Sequence, residues 1–321
     1  MAATVLGGCS KSDELTANSN FPADGVIRVA TSVGDMQTRA GITTENISTF
    51  QLKIEHPTHS DYSYCAYMEG SNTDGWGSYS AVDGTTALQM LWRNNTDKVK
   101  VTAVSDEGML YTNDDFTNGH IVSIADYQTE KSWFMRSDVL FMATKEVDPA
   151  KDLTADGKLP ITFKHLFSKL NLTITLGTEL NITPGTATNP ISELKVNGTY
   201  TGALFAPLTD VLTLDKFIGI ASILPLAGAY TPGSTADAAP QTKAVAPYEC
   251  ILVPQTVATG VFTISFTIGD KPYEWVSTNE VTLVSGNQYA LNLTVGKDAV
   301  QVGQFTASEW TGNTNSPIET E

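Results

Sequence analysis

The most specific chemistry in the sequence belongs to Cys9, which follows the short run Leu6-Gly7-Gly8 and precedes a polar stretch. Small residues just before a cysteine match the bacterial lipobox, because the membrane peptidase needs small side chains at its cleavage site. The thiol then accepts a diacylglycerol, and two or more acyl chains give stable anchoring. The pattern predicts lipidation of the precursor at Cys9. Only Ala2 to Leu6 precede the motif, so an incidental cysteine is the alternative.

Histidines and carboxylates offer the next possible chemistry. His56 and His59 are the only close histidine pair and could bind a metal, but no cysteine or carboxylate cluster accompanies them, and we expect surface-loop histidines. The acidic pairs Asp106-Glu107 and Asp114-Asp115 could in principle flank a glycosidic bond, although adjacent carboxylates in turns are usually solvated. Phosphate-binding, zinc-protease and serine-hydrolase motifs are absent from the sequence. We therefore predict no enzyme, no cofactor and no metal site.

We expect the tryptophans and the other two cysteines to contribute to packing and not to a binding site. The five tryptophans could form a sugar-stacking platform, but their scatter along the chain favours core or rim positions. Cys65 and Cys250 form no CxxC pair, and we expect two separate buried thiols.

The overall charge narrows the range of partners. Nineteen basic against 35 acidic residues give a net charge of −16. Such a surface repels nucleic-acid phosphates and anionic lipids, so neither is expected as a direct partner. No apolar stretch approaches the roughly 20 residues that span a bilayer.

The elements that must position these residues are predicted to be β-strands. Apolar residues alternate with polar ones at period two in five segments, which places one face of each strand on a core. The segments are 50–54, 99–103, 170–176, 262–268 and 289–295. Turn-rich stretches separate them, and the polar stretch Asp148–Pro160 is a candidate linker. We predict an all-β protein with a tether over 1–24 and two antiparallel β-sandwiches over 25–160 and 161–321.

Several segments, taken in order, resemble the fimbrillins, the pilus subunits of Bacteroidales bacteria. The family's Phe-x-His-x-x-x-Lys-Leu run resembles Phe163–Leu170, and its lipobox resembles Leu6–Cys9. Further similar pieces are Ile251–Gln255, Gly286–Val295 and Phe305–Trp310. The resemblance implies two tandem transthyretin-like domains and a precursor that is anchored to the outer membrane by lipid.

The resemblance also implies processing by a trypsin-like protease near the N-terminus. Arg39-Ala40 lies in a polar, glycine-flanked stretch that resembles the family's processing site, whereas an ordinary loop arginine is the alternative. The segment Gly25–Thr31, with Val26, Ile27 and Val29, is a credible first strand that cleavage would release. Arg28 is a competing site inside that strand.

Strand addition from another pilus subunit would fill the groove left behind. The candidate donor residues are Val300, Val302, Phe305 and Ala307. The alternation changes phase after Gly303, so Phe305 and Ala307 share a face with Val300 only if a bulge intervenes there. Alternatively, these residues complete the C-terminal sandwich. Stalk and tip roles stay open, as does a receptor on a host or bacterial surface. A monomeric glycan-binding surface lipoprotein is the rival hypothesis.

Overall fold

The structure of the protein is a computed structural model that describes residues 20–34, 42–107, 109–180, 188–234, 240–297 and 299–310, without the side chains of residues 302 and 304. Three predicted site residues, Cys9, Arg39 and Ala40, lie outside the described residues. Lipidation and cleavage at these positions stay predictions.

The described chain is almost entirely β-structure, as predicted. The first half forms a seven-stranded sheet in the order β1-β8-β7-β5-β2-β3-β4. Its strands are β1 Val29–Val33, β2 Thr49–Glu55, β3 Tyr64–Ser71, β4 Gly75–Ser80, β5 Val99–Ser105, β7 Leu140–Val147 and β8 Leu159–His165.

The remaining strands form four smaller sheets. A five-stranded sheet has the order β14-β15-β9-β20-β21, with β9 Ser168–Leu176, β14 Leu226–Ala227, β15 Ala244–Leu252, β20 Asn287–Val295 and β21 Val300–Glu309. A four-stranded sheet has the order β13-β10-β17-β18, with β10 Ile191–Tyr200, β13 Ile220–Ile223, β17 Thr263–Ile268 and β18 Lys271–Val276. The others combine β6 His120–Ser123, β11 Gly202–Ala206 and β12 Val211–Leu214, and β16 Gln255–Val257 with β19 Val281–Leu283.

Helices are short connecting elements. The α-helices of the described chain are α1 Asn113–Asn118 and α2 Lys131–Arg136, and single 3-10 turns cover Ser60–Tyr62 and Thr178–Leu180. Thr112 and Asp115 form a reciprocal capping box at the start of α1, which satisfies two backbone donors there. Across the described ranges, every helix is too short and too polar to cross a bilayer.

Most strand pairs are antiparallel, as predicted, but two are parallel. These pairs are β1 with β8 and β9 with β20. Both join segments more than 100 residues apart, which leaves ample chain for the crossover that a parallel pair needs. The sequence pattern contained no sign of either parallel pair, because alternation reports the buried face and not the partner strand.

Two hydrophobic cores occupy the described molecule. The first contains buried residues from Ile27 to Phe163, and the second extends from Val104 to Trp310. Successive residues of β7 serve different cores, since Leu140 and Met142 belong to the first and Phe141 to the second. The sheet is therefore buried on both faces over residues 140–142 of β7. The proposed division at residue 160 stays a prediction, as does the transthyretin-like layout.

Candidate functional site

The first strand lies at one edge of the seven-stranded sheet. Strand β1 pairs with β8 over five residues, from Val29 opposite Leu159 to Val33 opposite Phe163. Val29 and Val33 are buried, as are Leu159 and Phe163 on the facing strand. The ladder between β8 and β7 covers only His165 and Lys164. The described part of β8 over residues 159–163 thus has β1 as its only strand partner.

The predicted first strand, Gly25–Thr31, begins too early. Residues 25–27 pair instead with residues 90–92: Ile27 N–H donates to the Met90 carbonyl at 2.9 Å, and Val26 bridges Leu91. The regular strand begins only at Val29 and continues through Val33. Among the predicted residues, Val29 lies in β1, Ile27 is buried just before it, and Val26 is half-buried. A local alternation of apolar residues could not show that the chain changes partner at Arg28.

Arg28 is embedded in this edge. Its guanidinium pairs with both oxygens of Asp24, at 3.1 and 2.6 Å, and its carbonyl accepts the Leu159 N–H at 2.7 Å. The Arg28 side chain lowers the pKa of Asp24 to about 2, with help from a hydrogen bond donated by the Val26 N–H. Because a protease binds its substrate as an extended strand, a peptide bond that already takes part in a sheet is a poor substrate.

The last strand, β21, lies at the edge of the five-stranded sheet and contacts β20 alone in that sheet. Its register slips by one residue, so that Leu291 faces Phe305 and Leu293 faces Val302. This is the bulge beside Gly303 that the phase change requires. Val300, Phe305 and Ala307 consequently pack, half-buried, against the same core, and Phe305 stacks on Tyr289 at 5.7 Å. In the monomer these residues complete the C-terminal sheet, which was the stated alternative to donation.

The histidine and the last lysine of the Phe-x-His-x-x-x-Lys-Leu run, His165 and Lys169, are both buried. His165 donates from Nδ1 to Oδ1 of Asp138 at 2.7 Å, and Asp138 Oδ2 accepts the Ile42 N–H at 2.8 Å. The His165 ring stacks on Trp310 with centroids 3.7 Å apart and planes 9° from parallel. We call Ile42, Asp138, His165 and Trp310 the Asp138 cluster. Lys169, from the same run, pairs with Glu249 at 2.6 Å.

The sequence did not single out Asp138. It stands as a lone carboxylate directly before the apolar run Val139–Met142, and that isolation was the available signal. A charged residue within an apolar segment needs buried partners, because an unpaired buried carboxylate is costly. The partners themselves could not be identified, since Ile42 and His165 are far away in sequence.

The histidine pair forms a compact group with Asp97, but its hydrogen bonds do not suit a metal. The potential ligand atoms of His56, His59 and Asp97 lie within 4.8 Å of one another. Nδ1 of His56 accepts the N–H groups of Thr58 and His59 at 3.3 and 3.1 Å, so the ring proton must reside on Nε2, which contacts Asp97 at 3.2 Å. A metal at Nε2 requires the opposite tautomer. His56 is also buried, contrary to the predicted surface position.

The acidic pairs considered for hydrolysis have structural partners. Asp106 accepts the Tyr111 hydroxyl at 3.1 Å, and Asp115 accepts the N–H and hydroxyl of Thr112 and contacts His120. Burial raises the pKa of Asp106 to about 6, and the Tyr111 hydrogen bond opposes that shift only in part. A raised pKa suits a general acid, but the carboxyl is directed at a buried tyrosine rather than at an open groove.

Tryptophans and thiols are largely enclosed. Trp92, Trp275 and Trp310 are buried, Trp76 packs edge-on against Phe50, and Trp133 is 43% exposed. One partly exposed indole does not make the aromatic platform that the glycan hypothesis requires. Cys65 and Cys250 are free thiols, as expected, although Cys65 is only half-buried. Burial raises the pKa of the Cys65 thiol to about 11, so it is a poor nucleophile at neutral pH.

Comparisons with known proteins agree with this architecture. A family model described as fimbrillin-like matches residues 35–310. A proposed cell adhesion protein from Bacteroides ovatus has a similar structure, with a TM-score of 0.58 and 14% identity over 90% of this chain and 99% of the other. A second such protein, from Bacteroides uniformis, has a TM-score of 0.54 and 18% identity, over 90% of this chain and 100% of the other. A proposed adhesin from Bacteroides thetaiotaomicron has a TM-score of 0.51 and 9% identity, over 90% of this chain and 98% of the other. The search of curated proteins finds no match.

Proposed function

Since the chain belongs to the fimbrillin-like family, we propose that it is a non-catalytic subunit of a pilus that mediates adhesion at the bacterial cell surface. Its precursor carries lipid on Cys9 and reaches the outer membrane. A trypsin-like protease cuts between Arg39 and Ala40, and the subunit then polymerises with other pilus subunits by strand exchange.

The position of β1 is the observation that carries the proposal. Because residues 159–163 of β8 have no other strand partner in the described chain, loss of β1 leaves their backbone N–H and C=O groups unpaired. It also uncovers Leu159, Ile161 and Phe163, all of which are at most 1% exposed. Unpaired backbone beside an apolar row is the kind of edge that binds an incoming strand.

The position of β21 supports its role as the donor. It has one neighbour in its sheet, so it can leave without breaking a second ladder. Its apolar side chains are less deeply buried than those of β1. Exchange would therefore move Val300, Phe305 and Ala307 from partial burial in one subunit to fuller burial in the next, a gain of about 25 cal/mol for each Å² of apolar surface.

The environment of Arg28 supports cleavage at Arg39 instead. The Arg28–Val29 bond enters the β1 ladder, and the Arg28 carbonyl already has a partner in Leu159. A protease would have to unpair the strand before cutting there. The family's processing pattern at Arg39 is thus the better substrate in the folded chain.

Limited proteolysis tests the proposal. Dilute trypsin should produce a new N-terminus at Ala40, followed by a ladder of oligomers in size-exclusion chromatography. Arg39→Gln should stay uncut and monomeric under the same conditions, whereas the matched control Arg28→Gln should be processed like the native chain. Oligomers formed by uncut Arg39→Gln, or a cut chain that stays monomeric at high concentration, would contradict strand exchange.

A further inference from the structure

Hydrogen bonds and one tight turn connect the end of β1 to the interior. The N–H of Val33, the last residue of β1, donates to Oγ1 of Thr44 at 2.9 Å. Thr44 belongs to a tight turn, in which the Thr43 carbonyl accepts the N–H groups of Asn46 and Ile47. Ile42 immediately precedes this turn and donates its N–H to Asp138. The position of β1 thus helps to determine where the Ile42 N–H points.

Asp138 links the Ile42 N–H to the imidazole of His165. Both side chains are essentially excluded from solvent, at 0% and 3% exposure. Each Asp138 oxygen has a separate donor, Ile42 for Oδ2 and His165 for Oδ1. A buried carboxylate that loses one of these donors must rotate or find another, because an unsatisfied charged oxygen is far costlier in the interior than in water.

His165 in turn holds the end of β21. Its Nδ1–H bond to Asp138 fixes the plane of the imidazole, and that plane lies flat on Trp310, the residue that follows β21. The Trp310 N–H donates to the Gly286 carbonyl at 2.6 Å, while its indole Nε1 has no acceptor among the described residues. Stacking on His165, the Lys169 ammonium 5.9 Å from the ring centroid and the backbone bond hold this residue, and rotation of His165 would remove the stacking.

We infer that the Asp138 cluster couples the two terminal strands, so that displacement of β1 loosens β21. The inference rests on the proposed function, in which a single cut must create both an empty groove and a free donor. Asp138 and His165 act as positioning residues, because neither belongs to β1 or to the five residue pairs of its ladder with β8. Coupling between two sites is reciprocal, so loosening of β21 must also loosen β1.

Deuterium exchange in the uncut full-length chain tests the coupling independently of assembly. Thr44→Val keeps the side-chain shape but removes the acceptor for Val33. We expect exchange over residues 300–310 to become about fivefold to tenfold faster, as for a typical coupling between sites. Asp138→Asn should accelerate the same segment at least as much, and the double variant should add nothing further. Trp310→Leu should accelerate exchange over residues 29–33.

The matched control is His120→Gln. It removes a comparable histidine–aspartate contact, from Nδ1 to Asp115 Oδ1 at 3.2 Å, which lies outside the path between β1 and β21. His120→Gln should leave the deuterium exchange rates of residues 29–33 and 300–310 unchanged. If Asp138→Asn does not fold, Thr44→Val and Trp310→Leu still test the coupling in both directions.

The inference is overturned if Thr44→Val accelerates exchange over residues 29–33 but leaves residues 300–310 within twofold of the native rate. Additive effects of Thr44→Val and Asp138→Asn on residues 300–310 would overturn it as well. A chain that shows the coupling and yet never polymerises after cleavage would retain the inference and refute the proposed function.

Discussion

At the scale of single residues, Asp106 makes stability depend on pH. Its pKa is raised from 3.8 to about 6, chiefly by burial, so the folded state holds this proton more tightly than the unfolded state. The resulting stabilisation is complete below about pH 4 and is lost as pH rises through 6. Asp106→Asn should therefore raise the free energy of unfolding by about 1–2 kcal/mol at pH 7.5 and change it little at pH 4. Urea denaturation at both pH values measures this.

The neighbouring Glu107 provides the control for that prediction. It is exposed in the same loop, so Glu107→Gln should alter stability by less than about 0.5 kcal/mol at either pH. A stabilisation by Asp106→Asn that is equal at both pH values would show that packing, and not ionisation, is responsible.

His56 makes a second residue-scale prediction. Because its Nδ1 accepts two backbone N–H groups, Zn²⁺ or Ni²⁺ at a slight molar excess should leave the melting temperature unchanged. His56→Gln should destabilise the native chain by about 0.5–1.5 kcal/mol, since it removes the acceptor of two part-buried backbone hydrogen bonds. A rise in melting temperature on adding metal that disappears in His56→Gln would instead establish a metal site.

At the scale of elements, glycines determine how closely strands approach. A Cβ at Gly198 in β10 would lie well inside van der Waals contact with the Val261 carbonyl, and the residue has φ +91°. Gly260 has a similar φ of +79°, but a Cβ added there would have no heavy atom within 4 Å. Gly260→Ala should cost about 1 kcal/mol for its backbone conformation alone, and Gly198→Ala about 3 kcal/mol or more. Equal losses in thermal or urea unfolding would contradict this steric account.

Elements with a strong local pattern were predictable, and their partners were not. The phase change at Gly303 is visible in the sequence and left a bulge as one of two possibilities, and the register of β21 contains that bulge. The irregularity in β10 between Ser192 and Lys195, where Glu193 adopts φ +55°, has no such local mark. Likewise, the sequence predicts that Gly25–Ile27 are part of the first strand. Their pairing with residues 90–92 could not be predicted, because it depends on a distant segment. Alternation encodes which face is buried, while strand pairing is decided by the whole chain.

At the scale of the molecule, local sequence patterns also could not predict which residues meet in the Asp138 cluster. The Phe-x-His-x-x-x-Lys-Leu run carried a family resemblance, but it did not show that His165 contacts Asp138 and Trp310. These residues come from three distant parts of the chain, and only the folded arrangement of both cores brings them together. The all-β class was predictable because it depends on composition and period alone.

The shared strand β7 predicts that the two cores unfold together. Phe141 is buried in the second core against Phe205, with ring centroids 5.4 Å apart, whereas Met142 is buried in the first. Phe141→Ala should cost about 3–5 kcal/mol and Met142→Ala about 2–5 kcal/mol. Because one strand carries both side chains, each variant should lower the urea midpoint of β2 and of β17 equally, as followed by deuterium exchange. Val82→Ala, at a site 83% exposed, is the control and should shift neither. If Phe141→Ala lowered only the β17 midpoint and Met142→Ala only that of β2, the two cores would be independent folding units, which would contradict this prediction.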